Sequence, residues 1–121
     1  MFLRKRLLLQ NNVLKYESEE MIYLNYNSKL QSQDIDKLFD AILSLKDREQ
    51  CYRFFEDLCS ISELQAMAQR LEVAYMLADN VTYSDIAQKT GASTATISRI
   101  NRCLKYGADG YSLVLPLRKK D

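Results

Sequence analysis

Three glycines and one proline in 121 residues leave this chain few places to turn sharply. Sandwiches and barrels need a turn signal roughly every eight to twelve residues, so they are disfavoured and helices become the default. The length allows one ordinary domain with tails, because a chain of this size buries a sizeable share of its surface but rarely splits into two cores. An apolar share of 47% and a charged share of 27% are ordinary for globular chains and argue against both wholesale disorder and a membrane protein.

Histidine is absent, which removes the usual proton shuttle at neutral pH and any imidazole ligand for zinc. No paired acid site or Gly-rich phosphate loop organises the carboxylates, so the chain is not expected to be an enzyme or to carry a cofactor or metal. Cys51, Cys59 and Cys103 are odd in number and form no C-x-x-C pair, which fits a reducing cytosol and small buried apolar roles. Near the start, Arg4, Lys5 and Arg6 precede Leu7, Leu8 and Leu9, an apolar run too short for a signal peptide or a membrane span. A cytoplasmic protein without a membrane partner is expected.

The first thirty-odd residues show no sustained period, and Asn11, Asn12, Asn25 and Asn27 punctuate them. Residues 1–25 are read as an arm, 26–115 as the folded domain and 116–121 as a solvated basic tail. Met21 offers a second possible start, which the intact mass of the native protein would decide. From Asp34 onward Ile35, Leu38, Phe39 and Ile42 recur at helical spacing, and Cys51, Phe54, Phe55 and Leu58 repeat the pattern after a polar break at Lys46-Asp47. A longer helix follows, on which Leu64, Met67, Ala68, Leu71, Ala74, Tyr75 and Ala78 keep i, i+3, i+4 spacing. Ser60 and Glu63 form a candidate capping box at its start, and Asp79-Asn80 ends it. A weak last segment, Tyr111 to Leu115, is expected to stop at Pro116.

Net charge of +1 hides a segregation along the chain. Asp34 to Glu63 holds eight acidic and four basic residues, whereas Thr82 to Gly107 holds only Asp85 against Lys89, Arg99, Arg102 and Lys105.

That basic stretch contains Y-S-D-I-A-Q-K-T-G-A-S-T-A-T-I-S-R-I-N, Tyr83 to Asn101, which has the shape of a helix-turn-helix. Two short helices cross tightly only if the first is small on its inner side and the turn accepts a left-handed backbone, needs that Ala87 and Gly91 meet. Thr82 is a candidate cap for the first helix, Ser93 opens the second and Gly107 closes it. Ile86, Ala92, Ile97 and Ile100 fall where the helices pack on each other and on the core. On a helical wheel Ile97, Ile100, Cys103 and Leu104 share one arc, while Thr94, Ala95, Ser98, Arg99, Arg102 and Lys105 share the other. Small hydroxyl and methyl side chains let a backbone approach base edges, and Arg bonds bidentately to guanine. Thr94, Ala95, Thr96 and Ser98 are candidates to face bases, with Ser93 at the helix start. Arg99, Arg102 and Lys105 are candidates for base edges or phosphates, and Thr82, Tyr83 and Ser84 for holding the DNA backbone. A helical pair around a glycine also occurs as mere packing, and a polar arc as a merely solvated face. A protein-interaction module and a nonspecific nucleic-acid binder are therefore the competing readings.

The chain from about Asn27 to Leu115 resembles the Trp-repressor-like proteins, especially their YerC/YecD branch. The phrases that carry this are Y-N-S-K-L (Tyr26 to Leu30), A-I-L-S-L (Ala41 to Leu45), C-Y-R-F-F-E-D-L-C (Cys51 to Cys59), A-Q-R-L-E-V-A (Ala68 to Ala74) and T-G-A-S-T-A-T-I-S-R-I-N-R-C-L (Thr90 to Leu104). The resemblance implies an all-α fold in which two chains interlock as a homodimer through their N-terminal helices. It also implies a bacterial, cytoplasmic transcriptional regulator that binds double-stranded DNA. In the repressor two arginines sandwich the indole of the corepressor, and the match puts them on Arg70 and Arg99. The repressor's glycine after the second arginine is Ile100 here, whose branched side chain fills that space, so tryptophan is not expected as the effector and the resemblance names no other.

Overall fold

In the computed structural model, residues 7–10, 13–16, 21–23 and 26–118 are described, with side-chain surroundings from Tyr26 onward. The chain divides into two compact units, Met1–Lys46 and Asp47–Asp121.

Among its described residues the first unit holds three short strands, β1 (Leu7–Gln10), β2 (Val13–Tyr16) and β3 (Met21–Tyr23), and one helix, α1 (Gln33–Leu43). The strands form an antiparallel meander in the order β1-β2-β3, with Leu9 opposite Leu14 and Leu14 opposite Ile22. The arm read from sequence as lacking a period therefore has secondary structure. Its apolar runs are only three or four residues long, too short for a period to emerge, although two runs separated by two residues is hairpin spacing. Ser32 caps α1 by accepting from the Ile35 N–H at 3.1 Å.

The second unit is helical throughout its described residues: α2 (Arg48–Leu58), α3 (Ile61–Ala78), α4 (Tyr83–Thr90), α5 (Thr94–Tyr106) and α6 (Gly110–Val114), followed by a 3₁₀ turn at Leu115–Leu117. Asp47, in the polar break expected from sequence, caps α2 by accepting from the Gln50 N–H at 2.8 Å. The Ser60 capping box is complete, because Ser60 Oγ accepts from the Glu63 N–H at 3.2 Å and Glu63 Oε1 accepts from the Ser60 N–H at 3.0 Å. Hydrogen bonds from the Ser60 hydroxyl and then its backbone N–H hold the Glu63 carboxyl below its usual range. Asn80 takes the left-handed conformation at φ 60°, which asparagine tolerates better than most residues, and so ends α3 where expected.

The core lies where α3, α4 and α5 pack on one another. It consists of Val73, Ala74 and Met76 from α3, Ile86 from α4, Ala92 from the turn, and Ile97 and Ile100 from α5. The stripe read along α3 was Leu64, Met67, Ala68, Leu71, Ala74, Tyr75 and Ala78, yet among these only Ala74 is buried. Apolar residues surround this helix. Its C-terminal half buries a second face, Val73 and Met76, against the helix-turn-helix, while Met67 and Leu71 on the first face stay exposed.

Two further sequence readings are corrected by the packing. Cys51 and Cys103 are exposed and Cys59 is half-buried, so the thiols are not core residues: Cys51 and Cys59 belong to α2 and its C-cap, outside the core, and Cys103 is on α5 but on its exposed side. Nor does the tail begin at residue 116. Pro116 sits in the first turn of the 3₁₀ segment, where its missing N–H costs nothing. Arg118 then donates from Nε to Asp79 Oδ1 at 3.0 Å and from Nη1 to the Leu115 carbonyl at 2.9 Å, and Tyr75 donates to the Val114 carbonyl at 3.2 Å. These bonds hold the segment through Arg118 against the end of α3. Residues 119–121, the rest of the expected tail, lie outside the described residues.

Candidate nucleic-acid interface

The Thr82 hydroxyl accepts from the Asp85 N–H at 3.2 Å and opens α4 at Tyr83. Gly91 ends the helix with φ 73°, its N–H donating to the Ala87 carbonyl at 2.9 Å. A Cβ there would meet no atom, so it is the left-handed backbone and not crowding that calls for glycine. The Thr90 hydroxyl braces this turn on both sides, donating to the Ile86 carbonyl at 2.7 Å and accepting from the Ala92 N–H at 3.2 Å. Ser93 then caps α5 by accepting from the Thr96 N–H at 3.1 Å. Gly107 closes α5 in an extended conformation for a different reason: an added Cβ would collide with the Cys103 carbonyl.

The two faces of α5 separate as the wheel requires except at Cys103, which the wheel put on the inner arc and which is exposed, while Leu104 on that arc is half-buried. Ile97 is fully buried and Ile100 is 3% exposed, both against the core. On the other side Thr94, Ala95, Ser98, Arg99, Arg102 and Lys105 are all exposed. Among the described residues none of these three cations is in an ion pair, so their charge is uncommitted. Thr82, Tyr83 and Ser84 are exposed at the start of α4, and Ser93 at the start of α5. Thr96 differs from the others on its helix. It is half-buried, and its hydroxyl accepts from Ser93 Oγ at 3.0 Å, which turns it toward the cap.

The candidate effector residues differ in their surroundings. Arg70 and Arg99 are exposed and Ile100 is a core residue. A cavity of about 910 Å³ opens elsewhere, between the ends of α3 and α4 and the 3₁₀ turn, with Glu72, Asp79, Lys89 and Arg118 on its walls. Tyr111 packs against the core from α6. Burial, and then the neighbouring Cys103, push its phenol above the usual range, while Arg70 pulls it back.

Sequence reasoning missed two links that position this region. Gln69 donates from Nε2 to the Thr90 carbonyl at 3.0 Å, tying α3 to the turn of the helix-turn-helix. The Arg118–Asp79 pair was hidden because its partners lie far apart in sequence and are ordinary surface residues in type.

A helical core that carries a capped, glycine-turned helix pair with a cationic outward face defines a helix-turn-helix protein. The chain matches the family described as Trp repressor protein over residues 33–119, and it belongs to that family. It is 61% identical over 87 residues to the uncharacterized protein YerC of Bacillus subtilis (strain 168), a match covering 72% of this chain and 84% of that one. Among solved structures, a TrpR-like protein from Eubacterium eligens ATCC 27750 is 57% identical with a TM-score of 0.72, covering 78% of this chain and 100% of that chain. A candidate Trp repressor from Staphylococcus aureus is 52% identical with a TM-score of 0.70, covering 74% of this chain and 89% of that one. The strands β1 to β3 precede the family match.

Proposed function

We propose that this protein is a homodimeric, sequence-specific DNA-binding regulator of transcription that inserts α5 into the major groove and works in the cytoplasm. The observation that carries this reading is the outward arc of α5, where Thr94, Ala95, Ser98, Arg99, Arg102 and Lys105 stand exposed over buried Ile97 and Ile100. An arc without acidic residues leaves attraction to a polyanion unopposed, and its small residues sit at the helix N-terminus where the backbone comes closest to base edges. The exposed starts of α4 and α5 suit phosphate oxygens. Selection of bound duplexes from a random pool tests the reading: a preferred sequence should emerge, and its absence would leave a scaffold or a nonspecific binder.

The dimer has its own support in the apolar faces left over by one chain. No residue of α1 or α2 is buried, and Phe39, Leu43, Leu58 and Ile61 are all about half or more exposed. Exposed patches of this kind mark association surfaces, and the family resemblance points to a second copy as the occupant. Sedimentation at micromolar concentration should find a dimer. The selected site should then be a two-fold palindrome with half-sites about one helical turn, roughly 34 Å, apart. A monomer, or a site without symmetry, would overturn this.

Tryptophan should not control the binding. Ile100 is buried in the core with Ile97 and Val73, so an indole seated beside it would have to displace a packed branched side chain. Overpacking of that kind typically costs 1–3 kcal/mol, roughly tenfold or more in affinity. Calorimetry with millimolar L-tryptophan should give little heat, and operator affinity should be the same with and without it. A micromolar dissociation constant, or binding to the operator only with tryptophan present, would overturn this expectation.

A further inference from the structure

On α3 the residues at i+4 and i+7 from Gln69 are Val73 and Met76, both buried in the core shared with the helix-turn-helix. Gln69 is thus the polar first member of the stripe on which α4 and α5 rest. It is half-buried, and its Nε2 donates to the Thr90 carbonyl at 3.0 Å. Among the described residues this is the one side-chain hydrogen bond between α3 and the α4–turn–α5 unit. The carbonyl it engages belongs to the last residue of α4, where the helix no longer supplies a partner. Thr90 cannot release that bond by using its own hydroxyl, which is already committed to the Ile86 carbonyl and the Ala92 N–H. One residue further on is Gly91, with a left-handed backbone and open space around its Cα, so packing does not stiffen the chain there.

We infer that Gln69 is a positioning residue: its amide, donated from α3 to the Thr90 carbonyl, fixes the pose of the helix-turn-helix and through it the discrimination between DNA sequences. The inference rests on the DNA-reading function proposed above. Its chemistry is specific, because an amide N–H can donate to a carbonyl whereas a carboxylate of the same shape can only accept. Base contacts tolerate errors of about 0.5 Å and 10–20°, whereas phosphate contacts through long cationic side chains adapt to larger ones. Loosening the bond should therefore reduce preference for the selected duplex and spare nonspecific affinity.

The test uses the full chain and three variants: Gln69→Glu, isosteric but without the donor; Gln69→Met, matched in length without donor or charge; and Gln69→Lys, which restores a donor on a long stem. The ratio of affinities for the selected and a scrambled duplex should fall roughly three- to tenfold in Gln69→Glu and Gln69→Met, the scale of one net hydrogen bond. The salt slope should not change, and Gln69→Lys should keep most of the ratio. A ratio unchanged in both donorless variants overturns the inference. So does an equal loss for both duplexes that follows the melting temperature, because that is a purely structural role. Hydrogen exchange separates this from failure of the DNA reading itself. If the wild-type chain prefers no duplex, the DNA reading fails, yet the Gly91 and Ala92 amides should still exchange several-fold faster in Gln69→Glu and Gln69→Met; unchanged exchange there overturns the role of Gln69.

Discussion

Ile97→Ala is expected to destabilise the protein by about 2–5 kcal/mol, the range for removing a large aliphatic side chain from a packed core. Ile97 is fully buried in the cluster that α3, α4 and α5 share, together with Val73, Met76 and Ile86. Each missing methyl group leaves a void that α3, α4 and α5 must close together, because each helix is pinned by the other two. Against a total stability of roughly 5–15 kcal/mol, such a loss is a large fraction. Its neighbour Ser98 is exposed, and Ser98→Ala should stay within about 0.5 kcal/mol of wild type. Urea unfolding of the two variants checks the contrast. Similar losses at both positions would mean that α5 does not have one buried and one outward face.

The reading of α4, the turn and α5 from sequence was accurate to the residue because each signal there is local. A threonine cap, a glycine with φ 73° and a serine cap determine the boundaries, and the side chains that set them are within four residues of what they bond. Helix α3 was legible in extent but not in orientation. With Leu64, Met67 and Leu71 on one side and Val73, Met76 and Leu77 on another, periodicity alone cannot tell which face the same chain covers. The long-range links were not legible at all. Gln69 to Thr90 spans 21 residues and Arg118 to Asp79 spans 39, and nothing in either residue type announces its partner. The β-meander escaped for the opposite reason, since strands of three and four residues carry too few side chains to display a period of two.

Each of the two units leaves large apolar side chains exposed. Met67 and Leu71 remain exposed while the opposite face of their helix is fully used, and Phe39, Leu43 and Leu58 lie on helices with no buried residue. All of them except Leu43 belong to the helical spacing read from the sequence. A pattern that strong, left uncovered by its own chain, is what a core shared between two copies would look like from one side. On the function proposed above, the labour divides along the chain: the acidic first half would carry association, and the basic stretch from Thr82 the nucleic acid.

If that division holds, Arg102→Ala and Thr94→Ala should fail in different ways. Arg102 is an exposed cation with no ion-pair partner among the described residues, placed in the third turn of α5, and on the proposed reading its partner would be a DNA phosphate. Phosphates are the same under every sequence, so losing this contact should lower affinity for selected and scrambled duplexes alike. The slope of log affinity against log salt changes by about 0.9 for each phosphate contact, and a dimer loses one per protomer, so Arg102→Ala should flatten it by about 2. Thr94 is the first residue of α5, uncharged and exposed, and its removal should leave that slope intact. Its loss should instead relax preference at one base pair in each half-site, by about 1–3 kcal/mol per site, while other positions keep theirs. Titrations of both variants at several salt concentrations, on the selected duplex and on single-base substitutions of it, separate the two signatures. Wild-type behaviour of both on every duplex would mean that α5 does not read the DNA.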